Sequence, residues 1–398
     1  MKYVRESWKP GVEKIFMHQN RTRLLRFDNG RIVRRVLALL SIMASITLVW
    51  TALSSAHPAA YAHAHTIRET STPTSNPWGI AFDGSGSVWA AEPGCDGLNC
   101  SPQTGAIARY SRQNFSLLQD YKEPGGYTSP LFLAVDAQGH IWFTEPISNA
   151  IGELTPGSGN PAWKQWTVPT VDAAPYDLAF DAAGNLWFTE FNAGNIGEFV
   201  PSSQQFFETA TPTPNSNPYG IVGPDPRTGA MWFTENNSSV ARIGSFKAPA
   251  AGALHTADIN EFLTRNTGNS TPHLITFDKR GNIWWTEGFD GYIGRLAISK
   301  AAAGTSNGVS EYAVPLPQGC QNCTHISAIS VDSKGTIWFD DSLSSRIGSY
   351  VPGTATFSMI TVGGGTNSNA HPHDGLAVDS SNNVWFTEEF ANKLGEAI

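Results

Sequence analysis

Four of the ten histidines stand near equivalent points of a repeated pattern in the second half of the chain. His273 follows a proline, His325 lies in the corresponding region of the next repeat, and the repeat after that reads His371-Pro372-His373. Histidine exchanges protons near neutral pH better than any other side chain. We therefore predict that these four imidazoles occupy one loop position in consecutive repeats and form a functional site.

A carboxylic acid closes seven copies of a motif whose fullest form is Trp-Phe-Thr-Glu. We expect these acids to converge near the centre of the face that carries the histidines, to raise one another's pKa and to attract cations. The alternative is structural, because an acid present in every repeat is typical of hydrogen bonding between repeats. We predict that Glu287 and Asp341, together with His273, contact the substrate. The seven acids are Glu92, Glu145, Glu190, Glu235, Glu287, Asp341 and Glu388.

The same motif reveals the elements that must position these residues. Its tryptophan accounts for seven of the 13 in the chain, at intervals of about 45–54 residues. In the clearest copy, an alternating run ends at Asp181, a Gly-Asn turn follows, and Leu186 opens the returning strand. Two further strands complete each unit. The seven positions are Trp89, Trp142, Trp187, Trp232, Trp284, Trp338 and Trp385.

Four strands in each of seven repeats are typical of a β-propeller. We predict an all-β fold over residues 65–398, with seven four-stranded antiparallel blades. The seventh repeat ends after its third strand, at Ile398. We expect residues 65–70 to supply the missing outer strand and so to close the ring, which removes exposed sheet edges.

Residues 1–64 read as an export signal. The basic region 1–35 precedes an uncharged apolar run, 36–53, and Ala-x-Ala sites follow at 60–62 and 62–64. We predict a secreted or extracytoplasmic protein; the alternative is an uncleaved signal that anchors the chain in the membrane. The net charge is −8, and the basic leader makes the remainder more acidic still. This charge argues against nucleic acid as a partner, because phosphates require cations.

The four cysteines form two local pairs. Cys95 and Cys100 lie in an insertion of blade one, and Cys320 and Cys323 precede blade six. An even count in an exported chain favours disulfides, here one within each pair. The alternative is a single zinc site with four thiolate ligands.

The repeat resembles that of the virginiamycin B lyase family, over residues 66–398. The matching pattern is Pro-x-x-Ile-x-x-Asp, then Gly-x-Ile-Trp-Phe-Thr-Glu, then Asn-x-Ile-Gly. Trp385-Phe386-Thr387-Glu388 is a close copy of its central part. The resemblance implies a seven-bladed propeller that opens the lactone of a cyclic depsipeptide antibiotic by elimination, with Mg²⁺ as cofactor.

Carried over by position, the resemblance implies that His373 is the general base and that His325 is the blade-six histidine beside the substrate. It also implies that Glu388 and the residue at position 371 bind the metal. The family has a glutamate where this chain has His371. Mg²⁺ prefers oxygen ligands, whereas imidazole suits zinc or a transition metal. The metal expected here is therefore Mg²⁺ or, because of His371, one of these ions.

Two other functions are consistent with the sequence. A non-catalytic propeller would bind a ligand, glycan or protein at the same face, since propellers serve many functions. A lactone hydrolase of the six-bladed, Ca²⁺-dependent kind is disfavoured by the count of seven repeats. We predict a monomer that takes a small molecule or a cyclic peptide and meets the membrane only through an uncleaved leader. A role in antibiotic resistance and a housekeeping or envelope role are both consistent with the sequence.

Overall fold

The protein is a seven-bladed β-propeller in which every blade is a four-stranded antiparallel sheet. The computed structural model describes residues 65–94, 105–125, 129–157, 160–250, 252–265, 270–363 and 370–398, and all of these belong to one compact unit. The first strands of neighbouring blades contact one another and surround the axis. The fold therefore confirms the predicted all-β propeller.

Blades one to six follow one another along the chain, each from its innermost to its outermost strand. Blade one holds β2 (Ile80–Phe82), β3 (Ser87–Glu92), β4 (Ala106–Ser111) and β5 (Leu117–Lys122). Blade two holds β6 (Leu133–Val135), β7 (Ile141–Glu145), β8 (Ala150–Thr155) and β9 (Ala162–Thr167). Blade three holds β10 (Pro175–Phe180), β11 (Leu186–Glu190), β12 (Asn195–Val200) and β13 (Gln205–Ala210). Blade four holds β14 (Pro218–Val222), β15 (Ala230–Glu235), β16 (Arg242–Lys247) and β17 (Asn260–Leu263). Blade five holds β18 (Ile275–Phe277), β19 (Asn282–Thr286), β20 (Tyr292–Ala297) and β21 (Val309–Ala313). Blade six holds β22 (Ile329–Val331), β23 (Ile337–Asp341), β24 (Arg346–Val351) and β25 (Thr356–Thr361). Short 3-10 turns occur at Thr256–Asp258, Ile298–Lys300 and Ser342–Ser344.

Blade seven joins the two ends of the propeller. It holds β26 (Pro372–Val378), β27 (Val384–Glu388), β28 (Lys393–Ala397) and, as its outer strand, β1 (Ile67–Ser71). β1 pairs antiparallel with β28, and the Lys393 ammonium lies 2.6 Å from the Glu69 carboxylate. The prediction that the first strand closes the ring is confirmed.

The repeated tryptophan is explained by a hydrogen bond to the turn before it. In blade three, Asp181 accepts from the backbone N–H groups of Ala183 and Asn185 and from the Trp187 indole, the last at 2.9 Å. Six of the seven blades have this aspartate–indole bond, whereas the Trp232 indole of blade four has no hydrogen-bond partner among the described residues. The turn and the buried indole thus stabilise one another in these six blades.

The threonine of the motif joins each of five blades to the next. Thr144, for example, donates its hydroxyl to the carbonyl of Tyr176 at 2.6 Å. The corresponding bonds in other blades reach Tyr219, His273, Ser327 and Trp78. In each blade, one residue of the first strand pairs with the middle residue of the second strand. The accepting residue lies two positions before that first-strand residue. By this register the axis ring consists of Trp78, Leu131, Tyr176, Tyr219, His273, Ser327 and Asp374.

Cys320 and Cys323 form a disulfide, as predicted. Their sulfurs are therefore bonded to each other and do not supply thiolates to a zinc site. The predicted partners Cys95 and Cys100, and the leader 1–64, lie outside the described residues. Within the part of the chain that the structure describes, no helix has the length and apolar character needed to cross a bilayer.

Candidate functional site

The structure brings the four predicted histidines together on one face of the propeller. The Nε2 atoms of His273 and His325 lie 3.2 Å apart. The rings of His325 and His373 stack with their centroids 5.1 Å apart, and those of His373 and His371 are 5.4 Å apart. The imidazoles thus form a continuous row from blade five to blade seven, which we call the histidine row.

The four residues do not occupy equivalent positions, so this part of the prediction is wrong. His273 belongs to the axis ring, whereas His325 stands two residues before Ser327 and His373 one residue before Asp374. Blade seven has one residue more between Pro372 and Leu376 than blade three has between Pro175 and Leu178, and its strand pairing is irregular there. An extra residue in a strand redirects the side chains beside it. The insertion in blade seven therefore brings His373 toward His325, whereas blade six pairs regularly and carries His325 in the loop before β22.

The neutral imidazole is favoured at three positions of this row, His273, His325 and His373. Burial lowers the pKa of His273 and His373, and it lowers that of His325 with a further contribution from the neighbouring imidazoles. His273 Nδ1 lies 2.6 Å from the carbonyl oxygen of Thr271 and must donate to it, because a carbonyl only accepts. Its Nε2 then accepts from His325 Nε2–H, and His325 Nδ1 lies 3.1 Å from the hydroxyl of Ser342, which donates to the carbonyl of His325. We assign these tautomers from the hydrogen-bond network.

A carboxylate missed by the sequence analysis completes the row. Ligand atoms of His371, His373 and Glu389 all lie within 4.8 Å of one another. His371 Nε2 is 3.5 Å from the Glu389 carboxylate, which is 4.0 Å from His373 Nδ1. Glu389 is buried. Its signal in the sequence is the Glu388-Glu389 pair, since the corresponding second residue in the other blades is not an acid.

Glu388 itself lies outside this cluster. Burial and the adjacent carboxylate of Glu69 on β1 raise its pKa to about 8, and Lys393 opposes the shift. Its part in metal binding stays a prediction.

The expected convergence of the seven acids is also wrong. Each lies at the end of a second strand, one strand away from the axis, and five of them face an acid of the outer strand of their own blade. Burial raises the pKa of five of them to about 8, with a contribution from an outer-strand acid. The neighbouring pairs are Glu92 with Asp120, Glu190 with Glu208, Glu235 with Glu261, Glu287 with Glu311 and Glu388 with Glu69.

The two acids predicted to contact substrate have structural partners. The Trp285 indole donates to Glu287 at 2.8 Å. Asp341 pairs with Arg346 and accepts from the backbone N–H of His325 at 3.2 Å. Asp341 thus holds the loop that carries a histidine of the row, while Glu287 lies in its own blade. Their contact with substrate stays a prediction.

The buried acids predict a pH-dependent stability. Glu235 has a pKa of about 8 in the folded chain, mainly through burial, against an ordinary value of 4.5. Because the folded state holds this proton more tightly, its contribution is fully present below about pH 4.5 and is lost as the pH rises through about 8. We expect Glu235→Gln to reduce the fall in unfolding free energy between about pH 5 and 8 by up to about 3–4 kcal/mol.

Urea unfolding of both proteins across this range measures the effect. Asp258→Asn, on an exposed turn of the same blade, is the matched control. Parallel pH profiles for the parent and Glu235→Gln would contradict the assignment of a buried, protonated carboxyl.

Asp374 connects the histidine row to the opposite side of the axis. Its carboxylate accepts from the hydroxyls of Tyr219 at 2.6 Å and Tyr176 at 3.2 Å, and it lies 3.7 Å from His373 Nδ1. Its backbone N–H donates to the Ser327 hydroxyl. Burial raises the pKa of Asp374, whereas the tyrosine hydrogen bonds favour the carboxylate. The sequence offered one signal for this residue, the extra position in blade seven.

Aromatic side chains surround the row. Trp78 meets His373 edge to face with 4.9 Å between centroids, Phe289 lies 4.3 Å from His325, and Phe390 stacks on His371 at 4.2 Å. Phe289 is 69% exposed. Buried neutral imidazoles within an aromatic rim suit a mainly apolar ligand that carries a few polar groups.

Comparison with known proteins agrees with this geometry. The sequence model of the Virginiamycin B lyase family matches residues 73–397. A streptogramin B lyase structure is 26% identical, with a TM-score of 0.67, over 84% of this chain and 97% of that one. A catalytically inactive virginiamycin B lyase from Staphylococcus aureus with quinupristin is 25% identical, with the same TM-score, over 84% of this chain and 99% of that one.

More distant similarity concerns the fold alone. The WD40 repeats of RRP9 are 12% identical with a TM-score of 0.61, over 83% of this chain and 96% of that one. A comparison with curated protein sequences finds no match.

Proposed function

Because the chain belongs to the virginiamycin B lyase family, we propose that it opens the ester of a cyclic depsipeptide or another lactone by elimination. The observation that carries this proposal is the cluster of His371, His373 and Glu389 at the end of a row of neutral imidazoles. Such a site combines a proton acceptor with groups that can hold a cation.

His373 is the general base. It is buried against Trp78, and its Nδ1 has no hydrogen-bond partner among the described residues. The imidazole takes a proton from the carbon next to the one that bears the ester oxygen. The electron pair left behind forms a carbon–carbon double bond, and the carbon–oxygen bond breaks to release a carboxylate. No water enters the product.

His325 is the second imidazole beside the reacting ester. It stacks on His373 and is held from three sides, by His273, by Ser342 and by the carboxylate of Asp341. A group fixed in this way loses little entropy when it contacts the substrate. We assign it to substrate positioning.

The metal expected from the family resemblance is a poor match for these donors. Two of the three clustered side chains are imidazoles, and Mg²⁺ prefers oxygen. The donor set instead suits zinc or a transition metal, which His371 and Glu389 would hold beside the base. Such an ion would stabilise negative charge on a substrate oxygen. Elemental analysis of the purified protein tests its identity independently of activity.

Incubation with quinupristin tests the proposed function. We expect the lactone to be consumed in the presence of Zn²⁺ or Mn²⁺. Lactone that stays intact with Zn²⁺, Mn²⁺ and Mg²⁺ would exclude lyase activity on this probe. Calorimetry on the same samples then separates bound from unbound lactone.

The second candidate is a non-catalytic propeller that binds its ligand at the same face. The replacement of a family glutamate by His371 and the exposed ring of Phe289 favour it. Saturable binding of the intact lactone without conversion would support this function.

Export remains a proposal that rests on the sequence of residues 1–64. Expression of the full chain, followed by N-terminal sequencing of the extracytoplasmic product, tests it. Cleavage within 60–64 is expected; a cytoplasmic product would contradict it.

A further inference from the structure

A second concave region lies across the axis from the histidine row. It is a cavity of about 150 Å³ between the loops of blades one to three. Three axis-ring residues, Trp78, Leu131 and Tyr176, line it together with Ile147 and Phe191. Among the described residues, no charged side chain lines it. The cavity thus suits an apolar group.

The cavity shares its wall with the proposed active site. The Trp78 ring that lines it also meets His373, at 4.9 Å between centroids. The Tyr176 ring lines it while the hydroxyl of the same residue donates to Asp374. A group in this cavity would therefore lie one side chain away from the base.

Size and chemistry narrow the choice of occupant. An engineered apolar cavity of about 150 Å³ in another protein binds benzene. Indole and phenol faces also favour an aromatic guest over an aliphatic one of equal size. A glycan or a charged peptide side chain would leave polar groups without partners here.

We propose that this cavity is a substrate subsite that takes one aromatic ring carried by the same lactone whose ester lies at His373. The inference rests on the proposed function for the identity of the ligand. It adds a specificity: the substrate presents an aryl side chain on the side of the ring that faces blades one to three.

The test uses synthetic cyclic depsipeptide lactones that differ in one side chain. In one series a single benzyl group is moved around the ring, and the parent carries methyl groups only. Binding is measured by calorimetry in a His373→Gln background, so that the result does not depend on turnover. We expect a benzyl group at one position to tighten binding about 10- to 100-fold over the parent.

A filled cavity should abolish that preference. Ile147→Trp places an indole in the cavity, whereas Val171→Trp adds the same group at an 81% exposed position outside it. We expect Ile147→Trp to remove the benzyl preference and Val171→Trp to keep it. Phe191→Ala removes part of the cavity wall and should weaken the benzyl preference. This variant provides the test if Ile147→Trp does not fold.

The two proposals fail in different ways. The subsite proposal is overturned if the protein with an unaltered cavity binds all the lactones equally. It is also overturned if neither Ile147→Trp nor Phe191→Ala changes the benzyl preference. Both results hold even if the enzyme opens lactones. A benzyl preference that Ile147→Trp abolishes supports the subsite even if wild-type protein converts none of them.

Discussion

Replacing His373 by glutamine should slow ring opening by about 10³-fold or more while the propeller stays folded. Proton transfer by a positioned side chain contributes about 10²- to 10⁴-fold to enzymatic rates. Glutamine keeps the approximate size of imidazole but has no basic nitrogen. Because His373 packs against Trp78 and not within a strand-to-strand core, we expect the unfolding midpoint to change little.

The measurement is kcat on quinupristin, with circular dichroism as the check on folding. His140→Gln is the matched control, since His140 pairs with Asp136 in the turn that opens β7, at the opposite face. A His373→Gln enzyme with the parent's kcat would remove His373 from the mechanism. Loss of kcat in both variants would point to a general effect of histidine replacement.

Changing His371 to glutamate should shift the metal preference from zinc toward Mg²⁺. A carboxylate replaces an imidazole in the donor set, so hard cations gain and borderline cations lose affinity. We expect the ratio of the two apparent affinities to change at least about 10-fold. Chelation of the parent should abolish lactone opening, and added zinc should restore it.

Metal content and activity are both measured, because only metal content reports binding at the site independently of catalysis. Glu389→Gln should lose the metal, whereas Glu388→Gln should retain it, since Glu388 lies beside Glu69 and outside the cluster. Loss of the metal in Glu388→Gln and its retention in Glu389→Gln would instead identify Glu388 as the ligand, as the family resemblance implies. Unchanged metal content in His371→Glu and Glu389→Gln would show that neither residue binds it.

The propeller and its closure were predictable because the same strand and turn motifs recur in every repeat of the sequence. Six of the seven indoles bond to the aspartate six residues before them, and six of the seven hairpins have a glycine in the turn. The last repeat lacked an outer strand, and residues 65–70 had the pattern to supply one. Such patterns are local or periodic, so they can be recognised in a single sequence.

The site was predictable in its histidines but not in its carboxylates. Strand alternation sends Glu388 toward β1, and the next residue, Glu389, turns to the imidazoles. This direction depends on where β27 ends, which the sequence leaves open by a residue or two. Asp374 bonds to Tyr219, 155 residues away. No local sequence pattern predicts a contact across the axis.

The two errors have different causes. The seven acids do not converge because each ends a second strand, one strand away from the axis. The four histidines would be equivalent only if all blades shared one register, and blade seven carries an insertion that breaks it. This departure from the repeat coincides with the proposed chemistry, as expected where function overrides local regularity.

The mass of the product tests the central claim most directly. Elimination breaks the ester without adding atoms, so the ring-opened product of quinupristin should have the mass of the intact antibiotic and contain a new carbon–carbon double bond. A product heavier by one water would mean hydrolysis and would contradict the account, as would the recovery of intact lactone alone from the metal-loaded enzyme.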